Sequence, residues 1–370
     1  MSPVRYRQRA GPPRAAEVFS WIAEDLLDSG YKDQRRRFQP EPGPLTEEAL
    51  RALIERAFKE RGLSPEDVEA AMTRLFEEGF LKREGTTGEG KGGLVLGPKG
   101  ERLLGARFLD RLLGAKGRVL GLGRHASETL VPASEEAGAV RPYHPGEPLF
   151  LDAAETLKRL LPRPIEALQE EDLIQRLGEA GSAMATALLL DCSHSMVLYE
   201  KDRFTPAKKV ALALHHLIRT QFPGDRLKVF CFGDRAEEVP PGKLALLSVG
   251  PWHTNTAEAL SKAYRFLKRS PEPKKEAILI TDGKPSALTL PDGSLYKNAW
   301  GLDETIVAAT LKEAARLRRL GASLHVFMLA DQPELLAFVR RLVAVGRGRA
   351  VLADPEELGR QVLVDFLRQR

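Results

Sequence analysis

Asp191, Ser193 and Ser195 stand at alternate positions directly after four apolar residues, in the stretch Ala187-Leu188-Leu189-Leu190-Asp191-Cys192-Ser193-His194-Ser195-Met196. An unbroken apolar run of this length suits a strand covered on both faces, and this strand would end by presenting one carboxylate and two hydroxyls. An oxygen-only donor set suits a hard cation, so Mg²⁺ or Mn²⁺ fits these residues, whereas Zn²⁺ would call for Cys or His. The same hydroxyls could instead cap a Ser-rich turn, and the stretch needs a second half before it makes a site. Two downstream stretches offer one. His253-Thr254-Asn255-Thr256-Ala257-Glu258 opens a helix and brings threonine hydroxyls, and Ala277-Ile278-Leu279-Ile280-Thr281-Asp282-Gly283 is another apolar strand that ends in a carboxylate. Taken singly, Thr254 or Thr256 could cap the helix, and Asp282 could belong to an ordinary Asp-Gly turn.

In this order, Asp-x-Ser-x-Ser, then Thr, then Asp, the chain resembles the von Willebrand factor A (vWA) domain family from about residue 185 to residue 370. The resemblance implies a metal-ion-dependent adhesion site made of Asp191, Ser193, Ser195, Thr254 and Asp282. The three hydroxyls would reach a Mg²⁺ or Mn²⁺ ion directly and the two carboxylates mainly through water. One coordination position would stay open for an acidic side chain of a partner, so that the ion bridges two proteins rather than acting as a Lewis acid. Thr254, rather than Thr256, stands where the family has its threonine, and His194 occupies a position that is often Gly there. Many bacterial proteins of this kind partner AAA+ ATPases of the MoxR or magnesium-chelatase type, and the resemblance implies a partner of that class.

The elements that must position these residues are the alternating strands and helices of the C-terminal half. Apolar runs predict strands at 186–190, 227–232, 243–249, 277–281, 324–329 and 350–352. Helices are predicted at 206–220, with Thr205 as N-cap and Pro206 at the first position; after Asn255, with Asn255-x-x-Glu258 as a capping box; from Asp303 to about residue 320; and at 333–345 and 355–367. The pattern predicts an α/β fold with a doubly wound, mostly parallel, Rossmann-like sheet. In such sheets ligands sit beyond the carboxyl ends of the strands near the switch point, where Asp191 and Asp282 would meet despite the 91 residues between them. The connection 284–302 is long for a strand-to-helix loop. It turns at Pro291-Asp292-Gly293 and offers Tyr296, Lys297, Asn298 and Trp300, as a lid, as part of a partner surface or as an insertion on the rim.

Three regions precede this domain in the reading. Residues 1–44 are expected to be a polar, basic arm, rich in Arg and Pro, with a short helical pattern at Val18, Ile22, Leu26 and Leu27. Residues 45–114 read as a smaller, mainly helical, winged-helix-like domain. Thr46 starts one helix, and Ser64-Pro65-Glu66-Asp67 starts a second whose apolar face carries Val68, Met72, Leu75 and Phe76. A strand at residues 79–83 and a strand at 93–97 then flank a Gly-rich tip, with Lys82, Arg83 and Lys91 on the wing. The second helix carries Glu66, Asp67, Glu69, Glu77 and Glu78, which repel phosphate. Residues 115–184 read as a connector packing on the vWA-like domain, with an extended piece from Arg141 to Pro148 and helical periodicity at 151–161.

Composition narrows the function classes. The chain of 370 residues is 43% hydrophobic and 29% charged, enough for more than one core. A formal charge of +5 does not by itself predict nucleic acid. Its two cysteines, Cys192 and Cys231, sit in no metal-ligand or CxxC pattern, which predicts a reducing compartment without a disulfide framework. No run approaches the ~20 apolar residues of a membrane span, and the expected location is cytoplasmic. The first strand is followed by no Gly-rich dinucleotide turn and no nucleophile elbow, and Ser193 stands where a haloacid-dehalogenase-like phosphatase needs a second Asp. The chain therefore reads as a non-enzymatic, Mg²⁺-dependent protein-interaction module. The alternative is nucleic-acid binding through the winged-helix-like domain or the metal site.

Overall fold

The computed structural model describes residues 13–28, 45–84, 93–113, 140–143, 156, 159, 169–176, 183–198, 202–250, 252–298 and 300–369. Its centre is strand β5, Met184–Asp191, buried at every residue. Around it lies a six-stranded sheet in the order β12-β11-β8-β5-β6-β7. Strands β6 (Arg226–Phe232), β8 (Lys274–Thr281), β11 (Ser323–Met328) and β12 (Ala350–Leu352) run parallel to β5, and the edge strand β7 (Ala236–Val239) is antiparallel to β6. The chain leaves β5 toward β6 on one side and returns to β8 on the other, so the switch point lies at the carboxyl ends of β5 and β8. This is the doubly wound, mostly parallel α/β fold that the sequence predicts.

Successive side chains of β5 point to opposite faces, and each face has its own core. Leu188 and Leu190 join Ile278, Ile280 and Phe327 on one face. Ala187 and Leu189 join Ala277, Leu279, Val326 and Met328 on the other. Full burial of each large side chain contributes roughly 1.5–3 kcal/mol, which is why apolar runs without alternation mark these strands.

Ahead of the sheet, α1 (Ala15–Asp28), α2 (Glu47–Glu60), α3 (Val68–Glu77) and α4 (Pro98–Leu113) enclose a two-stranded antiparallel ribbon, β1 (Leu81–Arg83) with β2 (Leu94–Leu96). Thr46 caps α2, its side chain accepting from Ala49 N at 3.2 Å. Ser64 caps a 3₁₀ turn, Pro65–Asp67, that leads into α3, while Asp67 makes no capping bond. The expectation of a polar arm over 1–44 fails for α1. Val18, Phe19, Ile22, Ala23, Leu26 and Leu27 are fully buried, with Phe19 against Phe80 at a ring-centroid distance of 5.2 Å. The flanking Arg and Pro residues set the composition of the segment, but the apolar face of α1 decides its place. Lys91 and the rest of the wing tip lie outside the described residues, as does most of 115–184, including nearly all of 151–161. Within that stretch β3 (Val140–Pro142) pairs antiparallel with β4 (Ile174–Arg176).

The N-terminal helices and the sheet share one core through α6, Phe204–Gln221, which follows the short helix α5, Ser195–Leu198. Helix α6 is apolar around most of its girth, with Ala207, Val210, Ala211, Leu214 and Ile218 buried, as a helix covered on both sides should be. A Cβ on Gly105 of α4 would stand 2.5 Å from the Cβ of His216, so glycine is what lets α4 lie this close to α6. Lys208 of α6 is 1% exposed. Its ammonium donates to the carbonyls of Leu27 at the end of α1, of Ala245 at 3.4 Å and of Leu247 at 3.0 Å, tying α1 to the segment after β7.

Two predicted elements differ. The strand expected at 243–249 is instead the short helix α7, Pro241–Leu244, followed by irregular chain. Leu244, Ala245 and Val249 are buried there without strand pairing, while β7 takes the edge of β6. Helix α6 begins at Phe204 rather than residue 206. Its first turn is capped by Asp202, whose Oδ1 accepts from Phe204 N and Thr205 N at 3.0 Å each, rather than by Thr205. The remaining predicted helices are α8 (Thr256–Arg269), α9 (Glu304–Arg319), α10 (Pro333–Gly346) and α11 (Leu358–Gln369).

The N-terminal helical region offers little to a phosphate backbone. Arg83 donates to Glu47 at 2.5 Å and covers the ring of Phe76 at 4.4 Å, while Glu66, Glu69, Glu77 and Glu78 are exposed. Like charges oppose phosphate contact, so a gel shift at moderate salt with competitor DNA should show no specific duplex complex. A band that survives the competitor would overturn this expectation.

Candidate functional site

Strand β5 delivers Asp191 to the carboxyl edge of the sheet fully buried. Its Oδ1 accepts from Ser193 N at 2.9 Å, an Asx-type turn that reverses the chain as the strand ends. Its Oδ2 accepts from the hydroxyl of Thr281, the last residue of β8, at 2.5 Å. Ser193 and Ser195 lie with their hydroxyls 3.0 Å apart. Ser195 in turn donates to Asp282 Oδ1 at 2.7 Å. The two strand-end carboxylates are therefore linked through the serines.

Thr254 is fixed through its backbone. Its N–H donates to Ser286 Oγ at 3.0 Å, and its carbonyl accepts from Ser286 N at 2.9 Å and Ala287 N at 3.2 Å. The next residue, Asn255, caps α8, accepting from Glu258 N at 3.1 Å. Asn255 N donates to Gly233 O, so Glu258 meets the Asn255 side chain, at 3.3 Å, rather than closing a full capping box. Gly283 shows how closely the oxygens converge. A Cβ added there would lie 3.1 Å from both Ser195 Oγ and Thr254 Oγ1 and 3.7 Å from Asp191 Oδ2. The structure thus brings all five predicted site residues to one place, of which Asp191, Ser193, Thr254 and Asp282 are buried and Ser195 half-buried.

The electrostatics are those of two carboxylates short of positive charge. Burial, and then the charge of Asp282, push the Asp191 carboxyl up to about 7. Burial also raises Asp282, against the opposing pull of its bonds from Ser195 and Arg203. Among the described residues no group of three or more His, Cys, Asp and Glu side chains could hold a metal, so a cation here would rest on two carboxylates and three hydroxyls. That donor set fits Mg²⁺ or Mn²⁺. A side chain on Gly283 would crowd Ser195 Oγ and Thr254 Oγ1, so glycine leaves these oxygens uncovered.

Several neighbours escape the sequence reading. Thr281 was visible only as the end of a strand, and Ser286 as part of a loop. Arg203, 79 residues from Asp282, donates to Asp282 Oδ2 at 2.6 Å with no sequence signal pairing them. His194, at the position that is often Gly in the family, is half-buried, and its backbone N–H donates to Trp252 O at 3.2 Å. The segment 284–302 holds a hairpin, β9 (Ala287–Thr289) with β10 (Leu295–Lys297), turned at Gly293 with φ of 85°. Lys297 pairs with Asp234 at 2.5 Å, and Tyr296 and Asn298 donate to Asp303 at 2.9 Å each. Asp303 also caps α9. Trp300, 88% exposed, stands out from this rim.

The two cysteines correct the compositional reading. Cys192, between Asp191 and Ser193, is disulfide-bonded to Cys231 of β6, with Cα atoms 6.1 Å apart. Parallel pairing sets Leu190 beside Cys231, and Cys192 N donates to Phe232 O at 2.8 Å, so two residues with no sequence pattern become neighbours. Disulfides persist in oxidising surroundings, which removes the cysteine-based ground for a reducing compartment. No helix among the described residues is long and apolar enough to cross a membrane.

Residues 184–367 match the family model described as Rv0959-like protein, vWA domain. The proteins Rv0959 of Mycobacterium tuberculosis and Mb0984 of Mycobacterium bovis are each 33% identical to this chain over 307 residues, covering 80% of it and 44% of themselves. The chain thus spans less than half the length of these relatives, and the similarity reaches beyond 184–367 into the preceding residues. Among solved structures, the PilB minor pilin from Streptococcus sanguinis is similar with a TM-score of 0.41 at 15% identity, covering 53% of this chain and 64% of the pilin chain. The von Willebrand factor type A protein from Catenulispora acidiphila is similar with a TM-score of 0.36 at 19% identity, covering 50% and 42%. Residues 184–367 form a vWA domain, and vWA domains are typically protein-interaction modules.

Proposed function

We propose that this vWA domain binds a protein partner through a divalent cation. Asp191, Ser193, Ser195, Thr254 and Asp282 would hold Mg²⁺ or Mn²⁺, and an acidic side chain of the partner would complete its coordination. The observation that carries this reading is the pair of buried carboxylates facing three hydroxyls at the switch point. The reading is of a binding module, not an enzyme. The exposed Trp300 and the hairpin pinned beside Thr254 supply a rim on which an aromatic anchor could seat a partner around the ion. An AAA+ ATPase of the MoxR type, offering a surface carboxylate, is the partner class to test first.

Calorimetric titration of the full chain with Mg²⁺ and with Mn²⁺ tests the ion. Wild type should bind one ion, and the Asp191→Ala/Ser193→Ala variant should bind none. Affinity retained by the variant would sink the site. Partner capture in Mg²⁺ against EDTA then tests the bridge: capture equal in both would place the contact elsewhere on the chain.

A further inference from the structure

The guanidinium of Arg203 occupies an oxygen that a cation would otherwise neutralise. Its Nη1 donates to Asp282 Oδ2 at 2.6 Å, a charge-assisted bond. Within this ion pair the Asp282 side chain is wholly buried, while that of Arg203 is 16% exposed. Arg203 is held by its backbone, whose N–H donates to Met196 O at 3.2 Å, and it sits at the N-cap of α6.

The charges of the site give this pair a consequence. Two carboxylates and one guanidinium leave a negative balance that draws a cation. A divalent ion placed among the five oxygens would lie beside a fixed positive charge at hydrogen-bond distance from one of its own ligands. Like charges this close in a dry site repel strongly. We propose that Arg203 is a built-in competitor of the metal: the guanidinium and the divalent ion are alternative counter-ions for Asp282, and Arg203 sets how tightly the ion binds. The role rests on the metal-dependent reading given above. It assigns Arg203 to tuning affinity, not to the ligand set.

The test is Mn²⁺ titration of the full chain by calorimetry, for wild type, Arg203→Met, Arg203→Lys and Asp282→Asn, with thermal melts of each in EDTA and in Mn²⁺. Arg203→Met should bind Mn²⁺ at least ten-fold more tightly than wild type, and Arg203→Lys, which keeps the charge, should stay closer to wild type. In EDTA the Met variant should melt below wild type, because the carboxylates have lost their cation, and Mn²⁺ should raise its melting point more than it raises that of wild type. If the Met variant does not fold, Arg203→Gln, which keeps a donor without the charge, takes its place with the same expectation. Equal affinity in wild type and the uncharged variants would overturn the competition, and weaker affinity in them would make Arg203 a support for Asp282 instead. Those results leave the metal reading standing. Absence of Mn²⁺ binding by every chain, wild type included, would bring down the metal reading and the competition together.

Discussion

Replacing Cys192 and Cys231 by serine should lower the unfolding free energy by about 4 kcal/mol, the chain-entropy value for a cross-link closing a loop of this length. The bond spans 39 residues of sequence. Without it the unfolded chain regains the freedom of the whole segment that carries Ser193, Ser195, Arg203 and α6. In the native state Cys192 N would still donate to Phe232 O, so the strand ends should keep their register. Urea denaturation of wild type, of wild type in excess reductant and of the double serine variant measures the effect. The second and third curves should coincide, at a midpoint well below the first. Coincidence of all three would show that the cross-link does not contribute to stability. The double substitution avoids leaving one thiol to pair wrongly.

The architecture of the vWA domain was legible in the sequence because its strands are buried on both faces and leave unbroken apolar runs. The same signal misled at 243–249. Leu244, Ala245 and Val249 enter the core, but burial needs only apolar contact, whereas a strand needs a partner edge. That edge belongs to β7, whose Ala236 and Val239 turn inward while Glu237 and Glu238 face out. Four residues are too short a pattern to read. The candidate site was legible because Asp191 and Asp282 come at strand ends and Thr254 just ahead of a helix, in a fixed order. Arg203 was not, since nothing local distinguishes an arginine that reaches a carboxylate 79 residues away from one in solvent. Helix α1 shows a third case: the apolar spacing of Val18, Ile22, Leu26 and Leu27 was visible, but its destination, a core shared with α6, depends on contacts no local window contains.

Folding stability should also depend on His325, through a buried polar cluster beside the middle of the sheet, where His325 stands level with Ile278 of β8. His325 of β11 is 3% exposed. Its Nε2 lies 3.0 Å from Ser323 Oγ, and its Nδ1 lies 3.5 Å from Asp365 of α11. That carboxylate is committed to Arg349, so it does little to favour a second positive charge. Burial first, and then the charge of Arg349, hold the imidazole down to about 4. The unfolded chain has the ordinary value near 6.5, so below that pH the unfolded state binds the proton that the folded state refuses. The contribution is complete above about pH 6.5 and is lost as pH falls toward 4, a difference of about 3 kcal/mol at one pH unit per 1.36 kcal/mol. Asp191 titrates in the opposite sense. Its folded carboxyl is raised to about 7, so metal-free protein gains from its protonation over much of the same range, and the wild-type curve alone would hide both effects. The difference between wild type and His325→Gln, both in EDTA, cancels the Asp191 contribution because both chains carry Asp191 and its hydrogen-bond partners, Ser193 and Thr281, are not those of His325. Denaturation midpoints from pH 7.5 to 4 should show wild type losing stability relative to the variant as pH falls. A constant difference across that range would mean that the imidazole keeps its ordinary affinity for the proton, with Asp365, not Arg349, as its effective neighbour.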